Sequence, residues 1–407
     1  ADVDCNGLAS LFSACPNLEL VDLGHNNLGA FSNKQLNRWV RHIATNHSLT
    51  ELDVQSNNLG ADGVNKLANS LRLCLPLKSL NLSRNQPGGR PEALVQLVKD
   101  HAKLELLSII EDDEKHLTSK AKAMIGEAMR VNPAHKLAYV ACDAFELKPS
   151  TRTLKWTSTL PADVTLLAGA LRSNTSLTAL AFDGISIAEQ ERTQLGKALL
   201  ENSSGCVGYC DDFELTPSTT ELRWDLKDST KARKGLVLLM ALLRANTKVT
   251  RVTLVGLNTD ALTMLTQATR TNTTLQELVL EHTVQKLKGQ ATVVVSLPVQ
   301  ALVGAMSVES IDLSAAGELT KTSLAAVGAL LASNTSVKSL RLSGTKLGDE
   351  AGTILPVLGD LCKTGSLTAL DLSDIGFTDR GARKLFDSMM TGEYPKLRVL
   401  NMAGNTL

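Results

Sequence analysis

Short leucine-rich phrases return along the whole chain. Their shared pattern is Leu-x-x-Leu-x-Leu, often followed by x-x-Asn-x-Leu, as in LELVDLGHNNL (18–28), LTELDVQSNNL (49–59), LKSLNLSRNQP (77–87) and LRVLNMAGNTL (397–407). The alternating apolar positions predict a short strand with one buried face. The phrases starting at 18, 49, 77 and 104, and those starting at 308, 337, 367 and 397, lie 27–31 residues apart. This interval indicates a repeat protein.

A stretch with helical spacing follows the strand phrases. In ADVTLLAGALRSN (162–174), for example, the apolar residues recur at the intervals of one helical face. Asparagines stand where such helices should end, and we expect them to adopt the left-handed conformation that terminates a helix. They are Asn174, Asn246, Asn272 and Asn334. One strand–helix unit cannot bury its apolar face alone, so the units must stack.

The phrase LxxLxLxxNxL, within units of 27–31 residues, resembles the leucine-rich repeats of the ribonuclease-inhibitor type, and the resemblance covers nearly the whole chain. It implies an α/β leucine-rich-repeat solenoid, a horseshoe with a parallel inner β-sheet and outer helices. Residues 1–407 would form this single solenoid, with roughly 13–15 units. Members of this family serve mainly as interaction surfaces and occasionally as GTPase activators.

Three segments of the solenoid are expected to differ. Residues 1–136 hold regular repeats, whereas residues 137–248 include degenerate units with a Phe-Glu-Leu-x-Pro-Ser-Thr turn, in CDAFELKPSTRTLKW (142–156) and CDDFELTPSTTELRW (210–224). Such units resemble those of leucine-rich proteins from unicellular algae and other protists. We interpret the turn as structural filling, with a dedicated binding turn as the alternative. Residues 249–407 contain an irregular unit at 283–307, where Pro298 and a run of valines favour strand and loop over helix.

The composition supports a large aliphatic core and an intracellular protein. Apolar residues make up 43% of the chain but aromatic residues only 3%, so Leu, Val, Ile and Ala must build the core. Lys+Arg and Asp+Glu both number 42, and this balance argues against nucleic acid or an anionic membrane as partner. No transmembrane segment is predicted. Seven scattered cysteines are odd in number, which favours a reducing compartment over a disulfide framework. We expect the protein in the cytoplasm, with an organelle or the cilium as alternatives.

Motifs for catalysis or cofactor binding are missing from the sequence. It contains no GxxxxGK[ST], HExxH, GxSxG or CxxC. Cys206 and Cys210, with Asp211 and Asp212, make only a weak metal pattern. We therefore predict no catalytic residue, no cofactor and no metal. Sequences of the form Asn-x-Ser/Thr fall mostly inside the repeated phrase, so we interpret them as part of the repeat and not as glycosylation sites.

The candidate site is the inner strand face, formed by residues that flank the inward leucines. The predicted positions are Asp22, Glu51, Asp53, Gln55, Asn81, Lys155, Arg223, Arg251, Glu277, Glu281, Asp312, Arg341, Asp371 and Asn401. This lining is acidic near the N-terminus and gains basic residues in the middle. Tryptophan often anchors tight interfaces, but Trp39, Trp156 and Trp224 occupy predicted core positions.

The sequence therefore predicts a non-enzymatic protein–protein interaction scaffold, an accessory or structural subunit of a larger assembly. Two alternatives stay open at this point. One is a GTPase activator, for which the repeat asparagines Asn26, Asn57, Asn85 and Asn405 could order a loop or an arginine could complete a nucleotide site. The other is the ligand-sensing repeat region of a longer receptor-like protein.

Overall fold

A computed structural model describes residues 5–113, 117–131, 136–182, 187–202, 206–210, 213–226, 230–256, 265, 268–269, 271–286, 289–358, 361, 366–391, 394 and 396–407. The chain divides into two compact units, Ala1–Tyr209 (unit 1) and Cys210–Leu407 (unit 2). In both, short strands alternate with helices. The single solenoid over 1–407 and its boundaries at 136 and 248 stay predictions.

Unit 1 contains two parallel sheets, one with β1 to β5 in sequence order and one with β6 to β8. The strands are β1 (Leu20–Asp22), β2 (Glu51–Asp53), β3 (Ser79–Asn81), β4 (Leu106–Ser108), β5 (Tyr139–Ala141), β6 (Thr153–Lys155), β7 (Ala179–Ala181) and β8 (Val207–Tyr209). The helices are α1 (Cys5–Ala14), α2 (Asn33–Ala44), α3 (Gly60–Leu71), α4 (Glu92–Asp100), α5 (Ser119–Val131), α6 (Pro161–Leu171) and α7 (Glu189–Glu201). A 3₁₀ turn covers Leu28–Ala30.

Unit 2 contains two four-stranded sheets, β9 to β12 and β13 to β16. The strands are β9 (Glu221–Asp225), β10 (Arg251–Val255), β11 (Glu277–Lys286), β12 (Gly289–Pro298), β13 (Ser310–Asp312), β14 (Ser339–Arg341), β15 (Ala369–Asp371) and β16 (Val399–Asn401). The helices are α8 (Thr230–Arg244), α9 (Val299–Leu302), α10 (Lys321–Leu331), α11 (Ile354–Leu358) and α12 (Asp379–Thr391), with a 3₁₀ segment at Gly348–Thr353. None of the described helices is long and apolar enough to cross a membrane.

The irregular unit at 283–307 is an antiparallel hairpin followed by one helical turn. β11 pairs with β12 from Glu277–Pro298 to Lys286–Gly289, so strand replaces the helix of an ordinary unit, as the valines and Pro298 predicted. The inner strands pair in parallel elsewhere, as predicted, and the β11–β12 hairpin adds an antiparallel pair to its sheet. The physical reason is that the chain reverses directly from one strand to the next, and without a helical crossover the two strands must run antiparallel.

The core is aliphatic, and large aromatic residues complete it at the degenerate units. The central residue of most short strands is buried, for example Leu52, Leu80 and Leu107. Trp156 is 1% exposed and Trp224 8% exposed, which confirms their predicted core positions. Each packs on the phenylalanine of its own Phe-Glu-Leu turn, with ring centroids 5.6 Å apart in the first copy and 4.4 Å in the second. The turn is therefore part of the core.

The asparagines at the helix ends act through their side chains and not through a left-handed backbone. Oδ1 of Asn174 accepts the N–H groups of Ser176 and Leu177. Its Nδ2 donates to the carbonyl oxygen of Ala138, which is 2.9 Å away in an earlier repeat. Asn272 and Asn334 bond in the same way. The expected left-handed conformation was wrong: the positive φ angles of the repeats lie in the strand-to-helix loops, at residues such as Asn58.

This bonding also explains the Asn-x-Ser/Thr sequences. Asn46, Asn174, Asn202, Asn272 and Asn334 are each at most 5% exposed. Their Nδ2 atoms donate to backbone carbonyls of a neighbouring repeat. A glycan could not be attached to these atoms in the folded protein, because the nitrogen is both buried and hydrogen-bonded. The repeated phrase SNTSLTAL (173–180) thus links one repeat to the repeat before it.

Candidate interaction surface

One row of strand ends in unit 1 holds three of the predicted surface residues, of which Asp22 is exposed and Asp53 and Asn81 are half-buried. Asp22, Asp53 and Asn81 lie in register on β1, β2 and β3. Each side chain accepts the backbone N–H two residues further on, at 2.8, 2.8 and 3.1 Å. Asn81 Nδ2 also donates to Asp53 Oδ2 at 2.8 Å. These residues therefore close the turn that ends each strand.

The corresponding row in unit 2 consists of Asp312, Arg341, Asp371 and Asn401, again in register. Arg341 lies between two carboxylates: its Nη1 is 3.6 Å from Asp312 Oδ2 and its Nε is 3.5 Å from Asp371 Oδ2. Hydrogen bonds from Ser314, and to a smaller extent the charge of Arg341, hold the pKa of Asp312 below its ordinary value. Both acids of this row thus have the same arginine of unit 2 beside them.

The other predicted residues of unit 2 are also paired. Arg223 on β9 makes a two-pronged contact with Glu281 on β11, with Nη2 2.7 Å from Oε2. Arg251 Nη1 on β10 lies 3.3 Å from Glu277 Oε2. The structure therefore brings basic and acidic residues of β9 to β11 together as ion pairs. Arg251 and Glu277 lie opposite each other on neighbouring strands, a pairing that sheets favour, whereas Arg223 and Glu281 pair across the intervening strand β10.

The predicted acidic residues on β1 and β2 have no such counter-charge. Within the described part of the chain, no ion pair involves Asp22, Glu51 or Asp53. Lys155 does not supply one on their sheet, because it lies on β6 in the separate three-stranded sheet. Unpaired carboxylates on β1 and β2 give this part of the strand face a net negative charge.

A groove of about 610 Å³ adjoins these acids, and we call it the unit 1 groove. Asp53, Asn81, Ser108 and Ala141, one residue from each of β2 to β5, lie along its floor. Residues 147–150 of the first Phe-Glu-Leu-x-Pro-Ser-Thr turn form its wall. The groove thus combines polar strand residues with part of a degenerate unit.

That turn is held firmly in place. Phe145 and Leu147 are buried, Leu147 N–H donates to Val140 O at 2.8 Å, and Thr151 N–H donates to Lys148 O at 2.9 Å. The sequence left filling and binding open as alternatives for this turn. Phe145 and Leu147 fill the core, while residues 148–150 are exposed beside the groove. Sequence reasoning did not include residues 148–150 in the predicted surface, although the repeated turn was a signal for them.

Two buried polar groups of unit 1 were also missed. Glu111, 5% exposed, accepts the backbone N–H of Asn85 at 2.9 Å. Lys122 is 1% exposed, and its Nζ lies 2.9 Å from Asp163 Oδ1 and 2.7 Å from Asp143 Oδ2. Burial acts to lower the pKa of Lys122, but the hydrogen bonds of the two carboxylates outweigh it and raise this pKa above its ordinary value. Both groups are structural, since the chain itself satisfies them.

Three of the thiols have the properties of core residues. Burial raises the pKa of Cys206 to about 12 and those of Cys74 and Cys142 to about 11, so these thiols stay protonated and poorly nucleophilic at neutral pH. Asp211 and Asp212, proposed beside Cys206 and Cys210, lie outside the described residues. Among the residues that are described, no cluster of three or more His, Cys, Asp or Glu side chains could hold a metal ion.

Comparisons with known proteins bear on the fold. The family model described as "Leucine Rich repeat" matches residues 45–68 and 333–353, one segment in each unit. No curated protein matches the chain at a significant level.

Solved structures with some likeness include leucine-rich-repeat-containing protein LegL7 from Legionella pneumophila, with 16% identity over 68% of this chain and 87% of that chain and a TM-score of 0.29. The yeast Rad7 and Elc1 complex has 14% identity over 98% of this chain and 77% of that one, with a TM-score of 0.28. These values are too low to support an argument about function. The matched repeats and the regular order of parallel strands and helices show that the fold is a leucine-rich-repeat solenoid.

Proposed function

We propose that this chain is a non-enzymatic scaffold that binds protein partners through the strand face of unit 1, as an accessory or structural subunit of a larger assembly. The strand face of unit 1 means the exposed side of β1 to β5, including the unit 1 groove. Protein binding is the general use of leucine-rich repeats, and strand faces of such repeats offer extended contact surfaces. We assign the repeats to the ribonuclease-inhibitor type on their length and phrase, and we place the protein inside the cell.

One observation carries the choice of surface. In unit 2 each predicted acid lies beside a predicted arginine, whereas Asp22, Glu51 and Asp53 in unit 1 have no cationic partner among the described residues. Charged groups that a protein leaves unbalanced on one face are available to attract and orient a partner of opposite charge. The adjoining groove gives that partner a recess in which to bury surface.

The same ion pairs weaken the GTPase-activator alternative. An arginine that completes a nucleotide site must be free to reach the transferred phosphate. Arg223, Arg251 and Arg341 are each engaged with carboxylates of their own unit. The arginines of the predicted surface are therefore poor candidates for that role.

Cross-linking mass spectrometry on complexes purified mildly from the native cell tests the proposal. We expect a fixed set of partners, with cross-links from carboxylate-reactive reagents at Asp22, Glu51 or Asp53. Recovery of the chain as a monomer without partners would contradict the scaffold. Cross-links confined to unit 2, or partners that leave the acids of unit 1 unmodified, would contradict the choice of surface.

A further inference from the structure

The unit 1 groove has two chemically different ends. Its first end, on β2, presents Asp53, with Glu51 on the same strand and Asp22 on the neighbouring strand. Its second end, next to β4 and β5, is lined by Leu106, Ile110 and Pro149, whose side chains are half-buried or exposed. The groove therefore offers a negative contact and an apolar contact in fixed relation.

The two cations of the groove do not offset the negative end. Arg84 Nε lies 3.1 Å from Asp112 Oδ1, and Lys148 is paired with Glu146. Each of these cations already has a carboxylate of its own beside the groove. Asp53 accepts hydrogen bonds from Gln55 N–H and Asn81 but has no cation among the described residues. A partner that binds in the groove can therefore supply the positive charge that is absent beside Asp53.

We propose that the unit 1 groove takes an extended peptide segment of a protein partner, with a Lys or Arg at Asp53 and an apolar residue at Leu106, Ile110 and Pro149. This rests on the proposed function, because it specifies the partner of the same surface. The occupant is extended, since the groove runs across successive strands instead of along one. Gln55 and Ser79 line it with polar side chains that have no hydrogen-bond partner among the described residues and can bond a peptide backbone.

The spacing of the two anchor residues follows from strand geometry. Neighbouring strands lie about 4.8 Å apart, so the distance from β2 to the region between β4 and β5 is about 10–14 Å. An extended peptide advances about 3.3 Å per residue, and its side chains alternate between two faces. Two residues on the same face that span this distance are about four positions apart. The predicted motif is a basic residue and an apolar residue separated by three others.

The repeats themselves provide variants that should preserve the fold. Asparagine already occupies the position of Asp53 in β3 and β16, where Asn81 and Asn401 make the same turn-closing bond. Asp53→Asn therefore removes the charge while keeping the turn. Serine already occupies the register position of Leu106, at Ser79 in β3. Leu106→Ser therefore removes the apolar contact with a residue that the repeat tolerates.

Selection of random 12-residue peptides on phage, against the immobilised full chain, tests the inference. We expect enrichment of a Lys or Arg four positions from an apolar residue. A synthetic peptide of the selected sequence, labelled with fluorescein, should bind about tenfold more weakly to Asp53→Asn and to Leu106→Ser. The matched control Asp312→Asn, at the equivalent position of unit 2, should leave its affinity unchanged.

The inference is overturned if no peptide is selected, if the selected peptides lack the spaced pair, or if their binding is insensitive to both groove variants. Circular dichroism and thermal unfolding of each variant establish that a loss of binding does not reflect a loss of fold. Native partners cross-linked to the acids of unit 1, without any peptide selected, would remove only the inference. Peptides selected as predicted, without any native partner, would remove the proposed function and leave the groove chemistry standing.

Discussion

The backbone N–H of Asn57 donates to Oδ1 of Asn85, one repeat further along the chain, at 3.2 Å. Asn57 in turn accepts the N–H groups of Asn26 and Leu28 through its own Oδ1. Its Nδ2 donates to three backbone carbonyls, the nearest at 2.8 Å. A ladder of buried amides thus joins the loops of successive repeats, and each asparagine satisfies backbone groups that neither strand nor helix can reach.

Replacing Asn57 with alanine should lower the free energy of unfolding by about 2–4 kcal/mol, because buried N–H and C=O groups lose their partners. Asn37→Ala is the matched control, since Asn37 is exposed on α2, and it should change the stability by less than about 0.5 kcal/mol. Urea unfolding followed by circular dichroism measures both. Equal stability of the two variants would contradict the ladder.

His101 should be replaceable by asparagine but not by alanine. Its Nδ1 accepts Leu104 N–H at 3.1 Å, so the ring proton is on Nε2, which donates to Cys74 O at 2.9 Å. Asparagines at the helix ends of other repeats, such as Asn174, make the same two kinds of bond. We expect His101→Ala to cost about 2–3 kcal/mol and His101→Asn much less, in the same urea assay. His47→Ala, at an exposed position, serves as control, and similar losses for both His101 variants would refute the equivalence.

The buried cation Lys122 should be essential to unit 1. Lys122→Met leaves Asp163, itself 1% exposed, without its charge partner, and we expect a loss of about 3–5 kcal/mol. Lys120→Met on the same helix is exposed and should be nearly neutral. The raised pKa of Lys122 means that its contribution is present below the unfolded-state value and is lost as pH rises through the folded-state value. Thermal unfolding of both variants at neutral pH gives the comparison.

Acid should weaken the contact between Asp349 and the start of α12. The hydrogen bonds of Thr378, O–H at 2.8 Å and N–H at 3.0 Å, hold the pKa of Asp349 below its ordinary value, and Gly381 N–H contributes further. Because the folded-state pKa is depressed, the stabilisation is present above the unfolded-state value, about 4, and disappears as pH falls through the folded-state value. Asp349→Ala should cost about 1 kcal/mol at pH 7, as loss of a helix cap does. Urea midpoints at pH 7 and pH 3 should show the difference from wild type shrinking in acid, and a constant difference would be inconsistent with this assignment.

Much of the fold could be predicted from the sequence because the repeat pattern reports directly on burial. The alternating leucines located the strands, and the third apolar position located Trp156 and Trp224 in the core. The valines and Pro298 indicated a strand in the irregular unit, but not its antiparallel pairing, since strand direction depends on the length of the connection and not on local composition. The sequence predicted correctly that asparagines end the helices, but it predicted a left-handed backbone where the side-chain amide forms the hydrogen bonds. Both arrangements can end a helix, and the sequence does not distinguish them.

The sequence predicted which residues lie on the candidate surface, but not which of them form ion pairs. Register placed Asp312, Arg341 and Asp371 in one row, yet the sequence could not show that Arg341 lies between the two acids. Lys148 and Pro149 line the groove because the degenerate turn folds back beside β5, and the strand pattern does not indicate this. The partnership of Lys122 with Asp163 joins two helices 41 positions apart along the chain, and no local pattern reports such a contact.

Quantitative mass spectrometry of partners recovered by two double variants tests the central claim most directly. Asp22→Asn with Asp53→Asn removes the unpaired charges of unit 1, and Asp312→Asn with Asp371→Asn removes two paired charges of unit 2 at equivalent repeat positions. The account predicts that partner recovery falls at least about tenfold, equivalent to about 1.4 kcal/mol, for the unit 1 variant and stays near wild type for the unit 2 variant. Full recovery by the unit 1 variant, or an equal loss in both, would contradict it.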